Sequence, residues 1–420
     1  MKKLFLLICM FAVFKVEAQT PDSISLSYCL SQTVANYPLI KQQDIYPMIT
    51  KLRINNLDKN YLPQMSVNGS ASYQSDVTKI PINLPGIPEI KKDNYKATLD
   101  VNQIVYDGGL TKAQMNIENA GLMIDKQNVT ISLYNLKESV IQLYFNILLL
   151  QENEKQLNVV SDDLAGKLKT IESGVRNGVQ LQTNADLIRI EILNTKQKLD
   201  EIANSKSANI SMLGLFMNQQ LNPKAVFSAP QNLSDPTNEE IVREELKLFD
   251  YQAGRLDQMK KLSAEKNLPR ISLFGQAGYG RPGLNMLDPD FADFYMVGAR
   301  LTWNFWNWNQ TKNEIKILDF QKELINNQKE IFNRSLKISL EKELSDIQKY
   351  NDLINEDQEI IKLREHVVKS FSSQLDNGTI TATDYITQLN NKSQAILQFE
   401  SHKLMQKMAI INYLYLLGKF

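Results

Sequence analysis

Hydrophobic positions along the chain follow two periods, and each period occurs twice. Between 136 and 171 an apolar residue returns every seventh position, at Leu136, Leu143, Leu150, Leu157, Leu164 and Ile171. Val140, Ile147, Leu168 and Val175 hold the companion phase. Two apolar positions per seven predict a coiled-coil seam, and its 3.5-residue period implies left-handed winding. The phase returns 200 residues later in Leu340, Ile347, Ile354, Ile361 and Val368. Residues 312–374 hold neither proline nor glycine, which predicts one uninterrupted helix of roughly 90 Å at the standard rise per residue. It is laced with charge, so it is not a membrane span.

Each helical stretch follows a region of period two. In 64–73, Met65, Val67, Gly69, Ala71 and Tyr73 oppose Gln64, Ser66, Asn68, Ser70 and Ser72. In 95–102, Tyr95, Ala97, Leu99 and Val101 oppose Lys96, Thr98, Asp100 and Asn102, and Pro81, Pro85, Gly86 and Pro88 lie between as a loop. This predicts a β-hairpin with one apolar and one polar face. A second hairpin places Ile271, Leu273, Ala277 and Tyr279 on its apolar face, continued by Tyr295, Val297, Ala299, Leu301, Trp303 and Phe305. The strands have the length of transmembrane β-strands, about 9 to 11 residues, with aromatics near their ends. A sheet in lipid must close, and the smallest such barrels use about eight strands. Four strands cannot close alone, so insertion requires an oligomer; a short β-domain capping a coiled coil is the alternative.

The repeat has punctuation as well as phase. Asn177-Gly178 returns as Asn377-Gly378 and Thr111-Lys112 as Thr311-Lys312, while Leu62-Pro63 returns as Leu268-Pro269 at an offset of 206. The first hairpin loop is therefore longer by six residues. The predicted organisation is a signal segment over 1–18 and a first repeat over 19–222, with its hairpin at about 64–106 and helices at about 112–215. A linker over 223–240 follows, then a second repeat over 241–420, with its hairpin at about 270–306 and helices at about 312–417. Polar residues interrupt the seams at Glu154, Ser161, Glu343, Asp357 and Arg364. Such interruptions fit helices ringing a wet lumen; a filled bundle fits them equally.

Composition narrows the compartment and the chemistry. Lys2 and Lys3 precede an apolar run from Leu4 to Val13, and Val16-Glu17-Ala18 closes it as a secretory signal would. Removing that segment takes Cys9, three lysines and one glutamate, so the charge balance falls from 47 against 47 to 44 against 46. A nearly neutral chain carries no footprint for nucleic acid. Cys29 remains as a lone thiol, read as a small buried side chain. His366 and His402 have no metal-like spacing and read as solvated surface residues. Gly275, Gly278 and Gly280 are not followed by a helix, so they read as strand glycines rather than a phosphate cradle. Trp303, Trp306 and Trp308 read as interfacial anchors. The expectation is a non-enzyme with no cofactor and no metal.

Signal, two amphipathic hairpins, two long helical hairpins and a tandem repeat together resemble the TolC family of outer membrane factors. The most specific residues are Arg176-Asn177-Gly178-Val179 with Asn184 six after its glycine, and Asn377-Gly378-Thr379 with Asp384 six after its glycine. The strand endings Gln103-Ile104-Val105-Tyr106-Asp107-Gly108-Gly109 and Leu301-Thr302-Trp303-Asn304-Phe305-Trp306 look like the family's exits toward the long helices. The likeness runs from about Ser25 to Leu416. It implies a mixed fold, a membrane β-barrel of twelve strands shared by a homotrimer and continued by an α-helical coiled-coil barrel across the periplasm. It further implies an outer-membrane exit duct of an efflux or type I secretion system, passive in itself. Its partners would be a periplasmic adaptor, an inner-membrane transporter and outer-membrane lipid.

Carried over residue by residue, the resemblance makes Asn177, Gly178, Asn377, Gly378 and Arg176 the adaptor-docking tip. Asp384, with Thr387 and Asn184, becomes the channel gate, and Tyr73, Tyr279, Tyr295 and Trp303 become membrane-interface aromatics. The tyrosine and arginine that latch the closed tip in the best-known member are Leu375 and Ile380 here, which leaves Arg176, Asn184 and Asp186 as candidates for a substitute. Two rivals make different demands. A periplasmic coiled-coil adaptor or scaffold calls for one helical hairpin inside a β-rich chain, and a diffusion porin for strands along nearly all its length.

Overall fold

The computed structural model of the chain describes residues 23–78, 90–231, 233 and 240–420. The expected signal segment 1–18, the loop prolines from Pro81 to Pro88, and residues 232 and 234–239 of the linker lie outside them. In chain order the elements are α1 (Leu26–Asn36), α2 (Gln42–Asp58), β1 (Gln64–Tyr73), β2 (Asp93–Tyr106), α3 (Leu110–Arg176), α4 (Gln182–Met217), α5 (Glu244–Glu265), β3 (Arg270–Arg281), β4 (Ala292–Thr302), α6 (Gln310–Asp376) and α7 (Ala382–Leu417). The helices α3 and α6 have 67 residues each, and α4 and α7 have 36 each. Each boundary of the first pair returns 200 positions later. Helices α1, α2 and α5 have no counterpart among the expected elements.

Two compact units divide the fold, with boundaries inside both long helices. Each unit draws on both sequence repeats. The first holds α1, α4, α7 and the portions of α3 and α6 from Tyr134 and Leu340 onward. Val140, Ile147, Leu164 and Ile171 are buried as the seam predicts, but Leu136, Leu143, Leu150 and Leu157 are only half-buried. Ile141, Tyr144, Phe145 and Leu148 take their place, because residues of α1, α4 and α7 share one core with this part of α3 and widen its apolar face. The Tyr144 hydroxyl lies 2.8 Å from the Ile24 carbonyl and 2.6 Å from that of Ser228. The segment around Val226 is thereby tied down, and a parallel bridge from Ile24 to Phe227 ties it again.

Two of the polar interruptions in the seams are taken up within this unit. Glu343 and Asp357 are buried. Asp357 Oδ2 lies 2.6 Å from His402 Nδ1, with the Tyr350 ring 5.9 Å from the imidazole, and Glu343 pairs with Lys342 at 3.1 Å. Glu154 pairs with Lys206. His402 is therefore not the solvated residue expected from its sequence: a buried carboxylate needs a partner, and α7 supplies one across the helix pair.

The second unit contains the four strands, α2, α5 and the N-terminal portions of α3 and α6. The sheet is antiparallel throughout in the order β1-β2-β3-β4. Both expected hairpins form, and pairing of β2 with β3 joins the two repeats into one sheet. Register keeps the faces apart. Val67, Leu99, Ala277 and Tyr295 make one cross-strand row, and Ser66, Asp100, Gln276 and Met296 the next. β4 ends at Thr302 rather than at 306, so Trp303 and Phe305 do not continue its apolar face. Left-handed backbone at Trp308 (φ 53°) and Asn309 (φ 63°) turns the chain into α6 instead.

Two of the strand positions occupied by glycine hold aromatic rings. A Cβ at Gly298 would lie 2.7 Å from the Phe274 ring, and one at Gly278 would lie 2.6 Å from that of Phe294. Gly280 lets the Tyr95 carbonyl approach to 2.6 Å from where its Cβ would be. Close approach is what glycine supplies at these points.

The start of each long helix is fixed by a polar knot. Asp107 accepts from Tyr61 Oη at 2.9 Å, Gly109 N at 2.9 Å and Thr111 N at 2.7 Å. Burial pushes its carboxyl upward, but the hydrogen bonds outweigh that and hold it below the usual range. The second copy does the same work with amides: Asn307 Nδ2 donates to Asn267 Oδ1 at 3.0 Å and to Thr311 Oγ1 at 2.6 Å.

Beside the sheet the helices follow the strand order. Gln43 of α2 donates to the Lys126 carbonyl of α3 at 3.2 Å, Gln127 of α3 to Glu244 of α5, and Lys322 of α6 pairs with Asp257 of α5 at 2.8 Å. Helices α2 and α6 are thus the two flanks, as β1 and β4 are the two sheet edges.

Candidate functional site

The two helix turns named as a docking tip lie side by side in the first unit. Each long helix ends on a glycine with left-handed backbone, Gly178 at φ 75° and Gly378 at φ 69°. The amide of Gly178 bonds to the Val175 carbonyl and that of Val179 to Gly174; Gly378 and Thr379 repeat the pattern on Leu375 and Gln374. This closes the orphan carbonyls of the last turn, and glycine is needed because a Cβ strains that conformation. Arg176, Asn177 and Asn377 are exposed around these turns, as are Val179 and Leu181.

Beneath the turns the two helical hairpins are tied together. Ile171, Ala185, Ile188, Val368, Leu375, Ala382, Tyr385 and Leu389 belong to one buried cluster drawn from all four helices. Asn184, 8% exposed, accepts from Ala382 N at 3.1 Å through Oδ1 and donates to Gln180 Oε1 at 3.1 Å. Gln180 Nε2 in turn donates to the Leu375 carbonyl at 2.6 Å. Lys167 donates to Ser372 Oγ at 2.6 Å, pairs with Asp376 at 3.0 Å, and lies 5.3 Å from the centre of the Tyr385 ring. Burial and the nearby Asp163 and Asp376 push the Tyr385 phenol up to about 12, so it stays neutral. Asn390 Nδ2 reaches Glu191 at 2.9 Å.

Of the three candidates for a replacement latch, Asn184 alone reaches the other hairpin. Asp186 bonds to Arg189 and Gln182 on its own helix. Lys167, Gln180, Asp376 and Glu191 were not singled out from the sequence. Gln180 could have been, because Gly174 leaves room for it, a Cβ there meeting the Gln180 side chain at 2.6 Å. The lysine carries no such signal, since a cross-helix partner has no fixed spacing. Leu375, which stands where the resemblance placed a latch residue, is fully buried and contributes its side chain to the core. Asn184→Ala is expected to destabilise the tip by about 1–2 kcal/mol, the usual loss for a buried cap. Faster hydrogen exchange confined to residues 379–385 would record it; uniform exchange would contradict the tie.

Asp384 closes a capping box. Thr381 N donates to its Oδ2 at 3.0 Å and Thr381 Oγ1 at 2.6 Å, while Asp384 N donates back to Thr381 Oγ1 at 3.3 Å. These bonds from Thr381 hold the fully exposed carboxyl below its usual range. It therefore remains ionised at neutral pH. The Thr387 hydroxyl is exposed and donates to the Thr383 carbonyl at 2.8 Å. Among the described residues no cluster of His, Cys, Asp or Glu is arranged to hold a metal ion.

At the loop end of the sheet Tyr73, Tyr95, Tyr279 and Tyr295 are exposed on the apolar face, one from each strand. Tyr95 and Tyr279 stack on Phe291 at 6.2 and 5.5 Å. Trp303 lies beyond the opposite end, its indole donating to the Asn267 carbonyl at 3.0 Å. Aromatics therefore stand at both ends of a bare apolar face. No helix among the described residues is long and apolar enough to cross a membrane.

No family model and no curated protein matches the chain. Solved structures do. CusC, crystallised in a study of folding and transmembrane channel formation, superposes with a TM-score of 0.68 at 11% identity, covering 93% of this chain and 91% of its own. The outer membrane channel CmeC of Campylobacter jejuni gives 0.64 at 14% identity, with 94% and 85% covered. The open state of the outer membrane channel MtrE of Neisseria gonorrhoeae gives 0.63 at 14% identity, with 94% and 88% covered. Over nearly its whole length, the chain has the fold of the TolC-type outer-membrane channels that its sequence resembles.

Proposed function

We propose that the protein is an outer-membrane channel of an export system, a homotrimer whose twelve strands close one barrel and whose helices continue it into the periplasm. The observation that carries this reading is the bare sheet. Its apolar face is exposed along four strands, its two edges are unpaired, and both flanking helices expose apolar stripes. On α2 these are Ile45, Met48, Ile49 and Leu52, and on α6 Ile317, Phe320, Leu324, Ile331 and Ile338. Water tolerates neither a face of this extent nor two open edges. Lipid covers the face, and further copies of the chain complete the edges. Four strands per chain make three copies a twelve-stranded barrel.

The duct supplies no energy; an inner-membrane transporter would, coupled through a periplasmic adaptor. Gly178 and Gly378, with Asn177, Asn377 and Arg176 beside them, form the docking tip, where absent side chains admit a partner's backbone. Asp384, Thr387 and Asn184 belong to the gate. Three Asp384 carboxylates around an axis repel one another and favour cations. Asn184 acts within each protomer, joining its two hairpins below the tip. An adaptor or scaffold built on one helical hairpin is the alternative, and two such hairpins in the element order speak against it.

Purified full-length protein added to a planar lipid bilayer is expected to give discrete conductance steps, and the protein should fractionate with outer membranes. A chain found only in the soluble periplasmic fraction, with no conductance, would return the adaptor reading to first place.

A further inference from the structure

The polar face of the sheet is unbalanced in charge, and the imbalance is concentrated at its helix end. Arg270 lies opposite Thr302 and Arg300 opposite Ser272, so the two guanidinium groups stand at diagonal positions on one face. Diagonal partners are some 7–8 Å apart, close enough for like charges to repel. Neither arginine has a carboxylate in ion-pair reach among the described residues. Both line an open cavity of about 340 Å3, together with Asn102, Gln114 and Ser272. The cavity's one carboxylate, Asp107, is already engaged by two backbone amides and the Tyr61 hydroxyl. Farther along the face Asp100 is likewise committed, to Asn68 at 2.7 Å, Thr98 at 2.8 Å and Gln276 at 2.5 Å.

Arg300 is also held in place. Its guanidinium lies 5.3 Å from the centre of the Phe274 ring, which itself sits over Gly298. A guanidinium held over a ring face keeps its N–H groups available for two parallel hydrogen bonds. Two arginines without a carboxylate partner, one of them held over a ring, beside amide and hydroxyl groups make a receptor for an oxyanion.

We infer that Arg270 and Arg300 form a binding subsite for the carboxylate or phosphate group of a solute. The subsite lies on the face opposite the bare apolar one, and its placement on the wall of a conduit rests on the channel reading above. Repeated around a trimer, it would give a cationic belt within the barrel's inner end, opposite in sign to the Asp384 ring.

Citrate is the probe. Calorimetric titration of the detergent-solubilised full chain is expected to show binding that R270A/R300A weakens about tenfold or more, with the circular dichroism unchanged. R270K/R300K, which keeps the charge but loses the fork, should fall between the two. Equal affinity in all three proteins overturns the subsite. In the bilayer, citrate should block wild-type current and spare that of R270A/R300A; binding without block overturns the placement on the conduit wall. A wild-type protein that binds citrate but never conducts contradicts the channel reading and leaves the subsite standing.

Discussion

Leu324→Glu combined with Ile331→Glu is expected to leave each chain folded and to prevent its assembly. Both side chains are exposed on α6, Leu324 at 63% and Ile331 at 58%, at the seven-residue spacing of a coiled-coil seam. On the other flank, α2 exposes Leu52 at 65% with Ile45, Met48 and Ile49 at helical spacing beside it. Strand β1 follows α2 and β4 precedes α6. If β1 of one copy pairs with β4 of the next, these two stripes are brought together. Fully burying such a side chain contributes about 1.5–3 kcal/mol, and a buried unpaired carboxylate costs several more. Two such changes recur in each of the three interfaces. Light scattering in detergent should then report one chain per particle. A mass equal to that of the wild type would show that these stripes face solvent or lipid rather than a neighbour.

Gly378→Trp is expected to abolish export while trimer and membrane insertion survive. The glycine is at φ 69°, and its Cβ position faces the Val179 carbonyl at 3.6 Å, so a side chain there strains the turn and projects beside its twin. Strain at one left-handed residue costs about 1–2 kcal/mol. That is small against a core shared by four helices. Gly378→Ala carries the same backbone strain with little bulk and should retain most export. Transport measured in a strain with the cognate pump separates the cases. Full activity of the tryptophan variant would remove the turn from the docking surface, and equal loss in both variants would assign the effect to strain.

The fold was legible wherever a period and its punctuation agreed. Helix α6 (Gln310–Asp376) begins two residues before and ends two residues after the stretch 312–374, which holds neither proline nor glycine, and both long helices end at the paired Asn-Gly turns. Alternation gives β1 to the residue. It overextends β4, because Trp303 and Phe305 keep the alternation while the backbone after Thr302 has already left the sheet. The polar residues within the seams stayed open for a different reason. Asp357 fits a wet lumen and a filled bundle equally when read in one helix, because its setting depends on His402, 45 positions away on another. Tip contacts such as Lys167 with Asp376 belong to the same class. They depend on which helices become neighbours, and no local spacing encodes that.

Closure of a barrel by β1 of one copy against β4 of the next is tested most directly by a disulfide across that junction. The one native thiol of the described residues does not interfere: Cys29 is buried, and burial pushes it up to about 12. Val67→Cys should be paired in turn with Tyr295→Cys, Val297→Cys and Ala299→Cys, which sample the register on the apolar face of the other edge. Oxidation in isolated membranes is predicted to give, for one of these pairs, a covalent species of three chains that reduction returns to one. Dimers as the end point, or monomers in every pair, would contradict closure by three copies.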